Sequence, residues 1–368
     1  MAFHVSAEPV RLTLLTGFLG AGKTTLLNRL LADPAVTDTG VIVNEFGAVG
    51  VDHLLVESAS DGLIELSGGC LCCSVRGDLA DTLADLVDRM QTGRIAPLKR
   101  VVVETTGLAD PTPILALLIG HPALARAYAL DGVVTVVDAL AGPANLAEHV
   151  EARRQAAVAD RIVLTKTDLA DAGAADRLRG ALRDLNPGAP MLDAAKGEAA
   201  ADTLFGCGPF DPNAKSTDVR AWLREEGGQH DHPHHHHRHH APDIGSLVIE
   251  RREPIGERDL RGFMEALAGA AGPGLLRVKG IAHVREAVER PLVLHGVRGF
   301  FHPPARLGAW PDGMEPATRL VVIGEGLDER RVRDLFAAFI GEPRIDAPDR
   351  QALIDNPLAV PGFRSLTG

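Results

Sequence analysis

Short apolar runs alternate with segments of helical periodicity along the first half of the chain. The runs consist mainly of Val, Ile and Leu, as expected of strands buried on both faces of a parallel sheet. Between them, leucine or alanine recurs at three- and four-residue spacing, which predicts amphipathic helices. Strands are predicted at 11–16, 40–43, 63–66, 100–104, 132–137 and 161–165, and helices at 24–32, 76–90, 111–119, 149–158, 171–185 and 197–205.

This alternation predicts that residues 1–215 form an α/β domain with a doubly wound, mainly parallel sheet. In such a sheet, ligands bind beyond the carboxyl ends of the strands. Residues 216–243 are polar and His-rich, which predicts a flexible linker, and residues 342–368 contain four prolines, which predicts an irregular tail. Residues 244–341 predict a smaller α+β domain, with strands at 246–250, 275–278, 292–294 and 320–323 and helices at 257–270 and 328–340.

Composition and charge narrow the class of protein. The chain has 368 residues and a formal net charge of −11, and its basic residues are not clustered, which argues against nucleic acid as a ligand. We see no apolar run of membrane-spanning length and no signal peptide at the first residues, so we expect a soluble, cytoplasmic protein without a membrane partner. In that compartment thiols stay reduced.

A glycine-rich loop follows the first predicted strand. Residues 17–24 read G-F-L-G-A-G-K-T, which matches the phosphate-loop pattern and lies between a strand and a helix, as in P-loop NTPases. The backbone N–H groups of such a loop surround phosphate oxygens, Lys23 reaches the β- and γ-phosphates, and the Thr24 hydroxyl ligates Mg²⁺. The predicted nucleotide-binding residues of the loop are Gly17, Gly20, Ala21, Gly22, Lys23, Thr24 and Thr25.

A second motif, Glu104-Thr-Thr-Gly107, follows the strand at 100–104. An acidic residue at a strand end can hold Mg²⁺, and the Gly107 N–H can sense the γ-phosphate, as in the switch segments of nucleotide hydrolases. Taken alone, the pattern is equally typical of a structural acid at a strand end. Lys23 and Glu104 are candidates for the catalytic machinery.

A third motif, Thr165-Lys166-Thr167-Asp168, follows the strand at 161–165. The Asp168 carboxylate would accept hydrogen bonds from the N1–H and the 2-amino group of guanine, whereas adenine lacks this pair of donors. The Lys166 stem can lie against the base. A turn with an Asp helix cap is the alternative, but together with the phosphate loop the motif favours GTP over ATP.

The segment 44–52 lies where a GTPase would have its first switch. Glu45 is a candidate for orienting water, and Asp52 is a candidate for a position near Mg²⁺. Both residues could equally be solvated loop acids.

Three of the four cysteines, Cys70, Cys72 and Cys73, lie within four residues. Reduced thiolates at this spacing favour a tetrahedral Zn²⁺ or Co²⁺ site over disulfides and leave one ligand position open. An inert buried cluster is the alternative. Cys207 stands alone, as a small core residue would.

Residues 230–240 contain eight histidines. Such a tract cannot build a core, and neutral imidazoles at this density bind divalent transition metals weakly and in many arrangements. A solvated linker without a metal role is the alternative.

In chain order, five motifs closely resemble those of the CobW-type GTPases: the phosphate loop, the segment that starts at residue 44, the cysteine cluster, residues 104–107 and residues 165–168. The CobW-type GTPases belong to the group that includes the nickel-insertion GTPases of urease and hydrogenase maturation. The resemblance covers the first domain motif by motif and the second domain less specifically. It implies a Zn²⁺-binding, GTP-hydrolysing metallochaperone, with a cysteine site coupled to the nucleotide switches and an unidentified client metalloprotein as partner. Two rival functions stay open: an ATP-dependent small-molecule kinase and a non-catalytic zinc store based on the His tract.

Overall fold

The computed structural model describes residues 8–43, 63–65, 75–206, 244–311 and 313–341. They form two sheets with associated helices. Within these ranges, no helix combines the length and the apolar character needed to cross a membrane.

The first sheet is parallel and contains seven strands in the order β3-β2-β4-β1-β5-β6-β7. The strands are β1 Val10–Gly17, β2 Thr39–Val43, β3 Leu63–Glu65, β4 Arg100–Glu104, β5 Tyr128–Asp138, β6 Arg161–Thr165 and β7 Met191–Asp193. The helices are α1 Lys23–Leu31, α2 Val75–Gln91, α3 Thr112–Gly120, α4 Pro122–Ala127, α5 Gly142–Glu148, α6 Val150–Ala157, α7 Ala172–Leu185 and α8 Ala201–Leu204.

The central strand β1 shows the double winding directly. Its Leu12 and Leu14 belong to a core cluster that includes Leu115 of α3, whereas Leu15 belongs to a second cluster with Leu27 of α1. Apolar side chains are therefore buried on both faces of the sheet, as the continuous apolar runs predict. The predicted doubly wound α/β fold is confirmed.

Among the elements predicted in the first half of the chain, strand β5 and helix α8 differ most from the structure, and α4, α5 and β7 were not predicted. The strand begins at Tyr128, four residues before the predicted start, because a buried Asp131 interrupts the apolar pattern. The Asp131 carboxylate accepts hydrogen bonds from Thr13 Oγ1 at 3.2 Å and from the Gly206 N–H at 2.9 Å. The helix predicted at 197–205 is reduced to Ala201–Leu204.

The second sheet is antiparallel, with the strand order β11-β10-β9-β13-β8 and a short sixth strand paired to β10. Its strands are β8 Ile244–Arg251, β9 Leu275–Ala282, β10 Leu292–Val297, β11 Phe300–Phe301, β12 Ala305–Arg306 and β13 Thr318–Glu325. Its helices are α9 Glu257–Ala271 and α10 Glu329–Phe339, joined by an edge-to-face contact of Phe263 and Phe336 at 5.0 Å. This is the α+β arrangement predicted for the second half.

The two sheets share one apolar cluster, in which Leu276 and Val321 of the second sheet join residues of the first. Inside this interface, the fully buried Asp160 forms ion pairs with Arg277 and, at 2.9 Å, with Lys279. Burial alone would raise the pKa of Asp160, but these two cations hold the pKa far below its usual value. The carboxylate is therefore ionised at neutral pH and ties the second sheet to the first.

Two histidines of the second sheet border the same interface. His295 on β10 and His302 after β11 are stacked, with ring centroids 5.0 Å apart, and they line a cavity of about 260 Å³ between the sheets. Burial lowers the pKa of His295 well below its usual value, and the Arg277 guanidinium lowers it further, against the opposing charge of Asp160. Burial also lowers the pKa of His302. Both rings are therefore neutral near pH 7.

We predict that the free energy of unfolding falls as the pH is lowered from about 7 to about 5. Unfolded histidines, with a pKa of about 6.5, take up protons in this range that the folded rings resist, and one proton changes stability by at most about 1.4 kcal/mol per pH unit. Asp160 does not contribute here, because its stabilisation is lost only below the unfolded carboxyl pKa of about 4. Urea denaturation at several pH values should show a shallower pH dependence for His295→Phe.

The matched control is His283→Phe. The His283 ring lies edge-on to Trp310 at 5.6 Å, and its Nδ1 is 2.8 Å from the Arg252 carbonyl oxygen. This variant removes an imidazole outside the cavity and controls for the loss of a histidine ring as such. A pH dependence for His295→Phe as steep as the parent's would contradict the prediction.

Candidate nucleotide-binding site

The phosphate loop joins β1 to α1 in a backbone conformation that requires glycine. Gly17 has a φ of 145°, and a Cβ at this position would lie 2.3 Å from the Val136 carbonyl oxygen. Gly22 has a φ of 93° and immediately precedes the first residue of α1. The helix N-terminus therefore faces the space enclosed by the loop, where its partial positive charge favours phosphate.

Two side chains of the loop are positioned as the motif predicts. Lys23 is buried, and its Nζ donates to the carbonyl oxygens of Gly17 at 3.0 Å and Phe18 at 3.3 Å. Thr24 Oγ1 donates to Glu104 Oε1 at 2.8 Å, so two predicted Mg²⁺ ligands meet at the carboxyl edge of the sheet. A hydroxyl and a carboxylate are oxygen ligands that suit Mg²⁺. Thr25 is exposed at the start of the helix.

The segment after β4 packs directly against this loop. The Thr105 N–H donates to the Leu15 carbonyl oxygen at 2.9 Å, and its hydroxyl donates to Thr16 Oγ1 at 2.8 Å. A Cβ on Gly107 would lie 2.6 Å from the Leu19 backbone nitrogen. Because the two segments touch at backbone level, Gly107 cannot move towards Leu19 unless the phosphate loop moves as well.

The third motif is bonded to the other side of the loop. Thr165 Oγ1 donates to the Ala21 carbonyl oxygen at 2.7 Å. Lys166, in the left-handed region with a φ of 57°, donates through Nζ to the Gly20 carbonyl oxygen at 2.9 Å and to Asp138 Oδ2 at 2.6 Å. Asp168 is exposed two residues further on. Its carboxylate is accessible two residues after Lys166, which is bonded to the loop.

Two residues of the site were not predicted from the sequence. Asp138 ends β5 and accepts from the Leu140 N–H at 2.7 Å in addition to Lys166. Burial raises the pKa of Asp138, but Lys166 and the backbone N–H groups of Leu140 and Ala141 outweigh that effect and lower the pKa. Gln155 on α6 donates to the carbonyl oxygens of Gly107 at 3.0 Å and Ala109 at 3.1 Å. Asp138 carries a sequence signal, an acid at a strand end, whereas Gln155 carries none.

Several predicted site residues lie outside the described residues. They are Glu45, Asp52, Cys70, Cys72 and Cys73. Among the residues that the structure does describe, no group of three or more His, Cys, Asp and Glu side chains is arranged to hold a metal ion. The predicted cysteine site is therefore still a prediction.

The sheet is parallel and has seven strands, a glycine-rich loop follows its central strand, and an acidic residue ends the neighbouring strand. These features together define a P-loop nucleoside triphosphatase. The chain belongs to the CobW/HypB/UreG family. Residues 11–193 match the CobW/HypB/UreG nucleotide-binding domain, and residues 244–340 match the C-terminal domain of the cobalamin synthesis protein CobW. The family predicted from the motifs is confirmed.

Two similar proteins are called zinc chaperones. The zinc chaperone YjiA of Escherichia coli (strain K12) is 36% identical over 334 residues, which cover 90% of this chain and 99% of that protein. The zinc chaperone CobW of Sinorhizobium sp is 33% identical over 367 residues, which cover 89% of this chain and 96% of that protein. These likenesses support a P-loop GTPase related to zinc chaperones.

Solved structures of YjiA have the same fold. The Zn(II)-bound YjiA GTPase from E. coli aligns over 90% of this chain and 99% of that chain, with a TM-score of 0.64 and 30% sequence identity. A Zn(II)-bound triple mutant of YjiA, in which one glutamate and two cysteines are replaced by alanine, aligns with a TM-score of 0.66 and 32% identity. Both alignments extend over the two domains.

We predict that Gly107→Ala weakens nucleotide binding. The added methyl group would lie 2.6 Å from the Leu19 nitrogen, so the phosphate loop must shift, at a cost of about 1–3 kcal/mol. Gly180→Ala is the control, because its Cβ enters open space in α7 and should stabilise the helix by up to about 1 kcal/mol. Urea denaturation and titration with a fluorescent GTP analogue measure both effects. Equal nucleotide affinities for the two variants would contradict the prediction.

Proposed function

We propose that this chain is a GTP-hydrolysing metallochaperone that binds Zn²⁺ or Co²⁺ at Cys70, Cys72 and Cys73 and delivers the ion to a client metalloprotein. One observation carries the nucleotide part: the base-recognition motif is bonded to the phosphate loop, through Thr165 and Lys166. The names of the relatives support the metal part, since YjiA and CobW are both called zinc chaperones.

Nucleotide binding would use groups that are already assembled. Lys23 would exchange the carbonyl oxygens of the loop for the β- and γ-phosphates, which bind an ammonium more strongly because they are charged. Thr24 and Glu104 would hold Mg²⁺, which neutralises phosphate charge. Lys23, Glu104 and Glu45 are the candidates for promoting hydrolysis. Without a partner we expect a slow turnover, on the order of 10⁻⁴–10⁻² per second.

Selectivity for guanine would come from Asp168. Its carboxylate would accept from two guanine donors, while the Lys166 stem would lie beside the base. Adenine would leave the acid without hydrogen-bond donors, and such a mismatch costs far more than a missing apolar contact. The motif therefore supports GTP rather than ATP as the nucleotide.

We predict that Asp168→Asn lowers GTP affinity at least tenfold and raises the affinity for xanthosine triphosphate. An asparagine amide can donate to the 2-carbonyl of xanthine but cannot accept from both guanine donors; each lost charged hydrogen bond is worth about 1.5–3 kcal/mol. Competition against a fluorescent nucleotide, with GTP, ATP and xanthosine triphosphate, measures the change.

Asp171→Asn is the control for this experiment. The Asp171 side chain caps α7 by accepting from the Gly173 N–H, and asparagine caps equally well. The control should keep the parent's nucleotide preference. Equal binding of ATP and GTP by the parent would reject the assignment of Asp168 and favour the kinase alternative.

The strand order supports coupling between nucleotide and metal. Val43, the last residue of β2, is paired with Glu104 of β4 on one side and Glu65 of β3 on the other. The segment that carries Glu45 starts after Val43, and the segment that carries the cysteines starts after Glu65. The first segment therefore leaves the sheet beside the proposed Mg²⁺ ligand, and the second leaves it one strand further away. If GTP raises metal affinity, metal must raise GTP affinity by the same factor.

We predict one tight Co²⁺ site that depends on Cys72 and Cys73, with Cys70 contributing. Thiolates bind borderline metals more tightly than scattered imidazoles, so this site should fill first and show thiolate-to-Co²⁺ charge-transfer absorption. Replacing Cys72 and Cys73 by serine should abolish that absorption, whereas the control Cys207→Ser should leave it unchanged.

The second control is deletion of residues 230–240. We propose that this His tract collects metal weakly, so its removal should lower the number of ions bound at saturation but keep the tight site and GTP hydrolysis. This control matters because a YjiA triple mutant is Zn(II)-bound although two of its cysteines are replaced by alanine. Loss of the tightest site on deletion would favour the zinc-store alternative.

A further inference from the structure

A cluster of four charged side chains joins the second sheet to the nucleotide site. Asp110 Oδ2 accepts from Arg154 at 3.3 Å and from Arg298 at 2.8 Å. Arg154 also bonds Glu325 at 2.5 Å. Asp110 and Arg154 belong to the first domain, whereas Arg298 and Glu325 belong to the second. The cluster is thus a bridge of two cations and two anions across the domain interface.

The bridge lies three residues from the proposed γ-phosphate sensor. Asp110 follows Gly107 closely in the chain and lies two residues before α3, where its Oδ1 accepts from the Thr112 N–H at 2.9 Å and the Thr112 hydroxyl at 2.6 Å. Arg154 is adjacent in α6 to Gln155, whose amide holds the carbonyl oxygen of Gly107. Consecutive residues of one helix therefore hold both ends of the segment 107–110.

The second domain contacts the segment that contains Asp110 through the turn between β10 and β11. Arg298 is in this turn with a φ of 48°, a strained conformation for a long side chain. Two residues further on, the Phe300 ring lies against Gly120, where a Cβ would be 2.8 Å from the ring. The turn and the first residue of β11 therefore contact the segment that precedes α3 and the last residue of α3.

The cluster is sheltered enough for its charges to matter. Its four side chains are 16–25% exposed, in contrast to surface ion pairs, which contribute little. Removing one partner would leave an unmatched charge in a partly buried place. The two sheets do not depend on this bridge for their association, because Asp160 and Arg277 already join them inside an apolar interface.

We propose that Arg298 of the second domain is a positioning residue for the nucleotide switch: through Asp110 it fixes the segment that contains Gly107. The proposal rests on the proposed GTP-binding function. If bound γ-phosphate displaces Gly107, the segment 107–110 moves with it, and the contact with Arg298 must change. By linkage, the position of the β10–β11 turn then influences how well the site distinguishes GTP from GDP.

The test compares the parent with Arg298→Met, which keeps the length of the side chain and removes its charge, and with Arg298→Lys, which keeps the charge. Arg285→Met is the matched control, because its ion pair with Asp259 lies wholly within the second domain. The readouts are the ratio of GDP to GTP dissociation constants and hydrogen exchange of residues 292–301 with GDP and with a non-hydrolysable GTP analogue.

In the parent, exchange in the turn should differ between the two nucleotides. Arg298→Met should abolish that difference and change the GDP-to-GTP ratio about 5- to 10-fold, within the usual range of allosteric coupling. Arg298→Lys should restore part of the change, and Arg285→Met should behave as the parent.

Two results would overturn the proposal. One is a parent that binds GTP but shows the same exchange in the turn with both nucleotides; this leaves the proposed function intact. The other is Arg298→Met with an unchanged ratio and an unchanged exchange difference, whatever its thermal stability. A parent that binds no guanine nucleotide would reject the proposed function and this proposal together.

Discussion

The close approach of Gly17 to the Val136 carbonyl oxygen is the constraint on which the nucleotide site depends. Because Gly17 has no side chain, the end of β1 can lie directly against β5. The phosphate loop then starts within hydrogen-bonding distance of the motifs that follow β4 and β6. Glu104 ends β4, the other neighbour of β1, and meets Thr24. Thr165 ends β6, beyond β5, and meets Ala21. Any side chain at position 17 would separate these ends.

The second domain is attached by a different kind of contact. A buried ion pair such as Asp160 with Arg277 contributes little net stability compared with apolar packing, because both groups lose their hydration. It does penalise misalignment, since a shifted sheet would leave a buried charge without its partner. The surrounding apolar cluster supplies the attraction, and the ion pair selects one docking position. That position also brings Arg298 next to Asp110.

The sequence alone was sufficient for the local features of this protein. The bounds of β4 and β6 were predicted without error, because each is a continuous apolar run that ends in a motif. The start of β5 was missed, because Asp131 inside the strand is satisfied by residues distant in the chain. Thr24, Glu104, Thr165 and Lys166 were predicted to belong to one site, and the structure brings them together around the loop.

Contacts that depend on tertiary packing had no sequence signal. Gln155 lies in an ordinary helical pattern, and only the fold shows that its amide reaches the carbonyl oxygen of Gly107. Arg298 and Asp110 are 188 residues apart, and no sequence pattern predicts that they pair. For Asp168, the sequence defines the chemistry and the structure adds only that the residue is exposed.

The two kinds of contact suit different roles in a protein of this architecture. The groups that bind nucleotide are held by short hydrogen bonds within one edge of one sheet, so their geometry can respond to a single phosphate. Two parts of the protein would respond to the bound nucleotide. On one side of the site, β2 and β3 precede the segment that carries the cysteines; on the other side, the segment before α3 contacts the second domain. A ligand shifts an equilibrium only by its differential affinity for the two states. Under the proposed function, a displacement of the segment 107–110 by bound nucleotide would act on the second domain through Asp110 and Arg298 and on metal affinity through the neighbouring strands, without a separate signal for each.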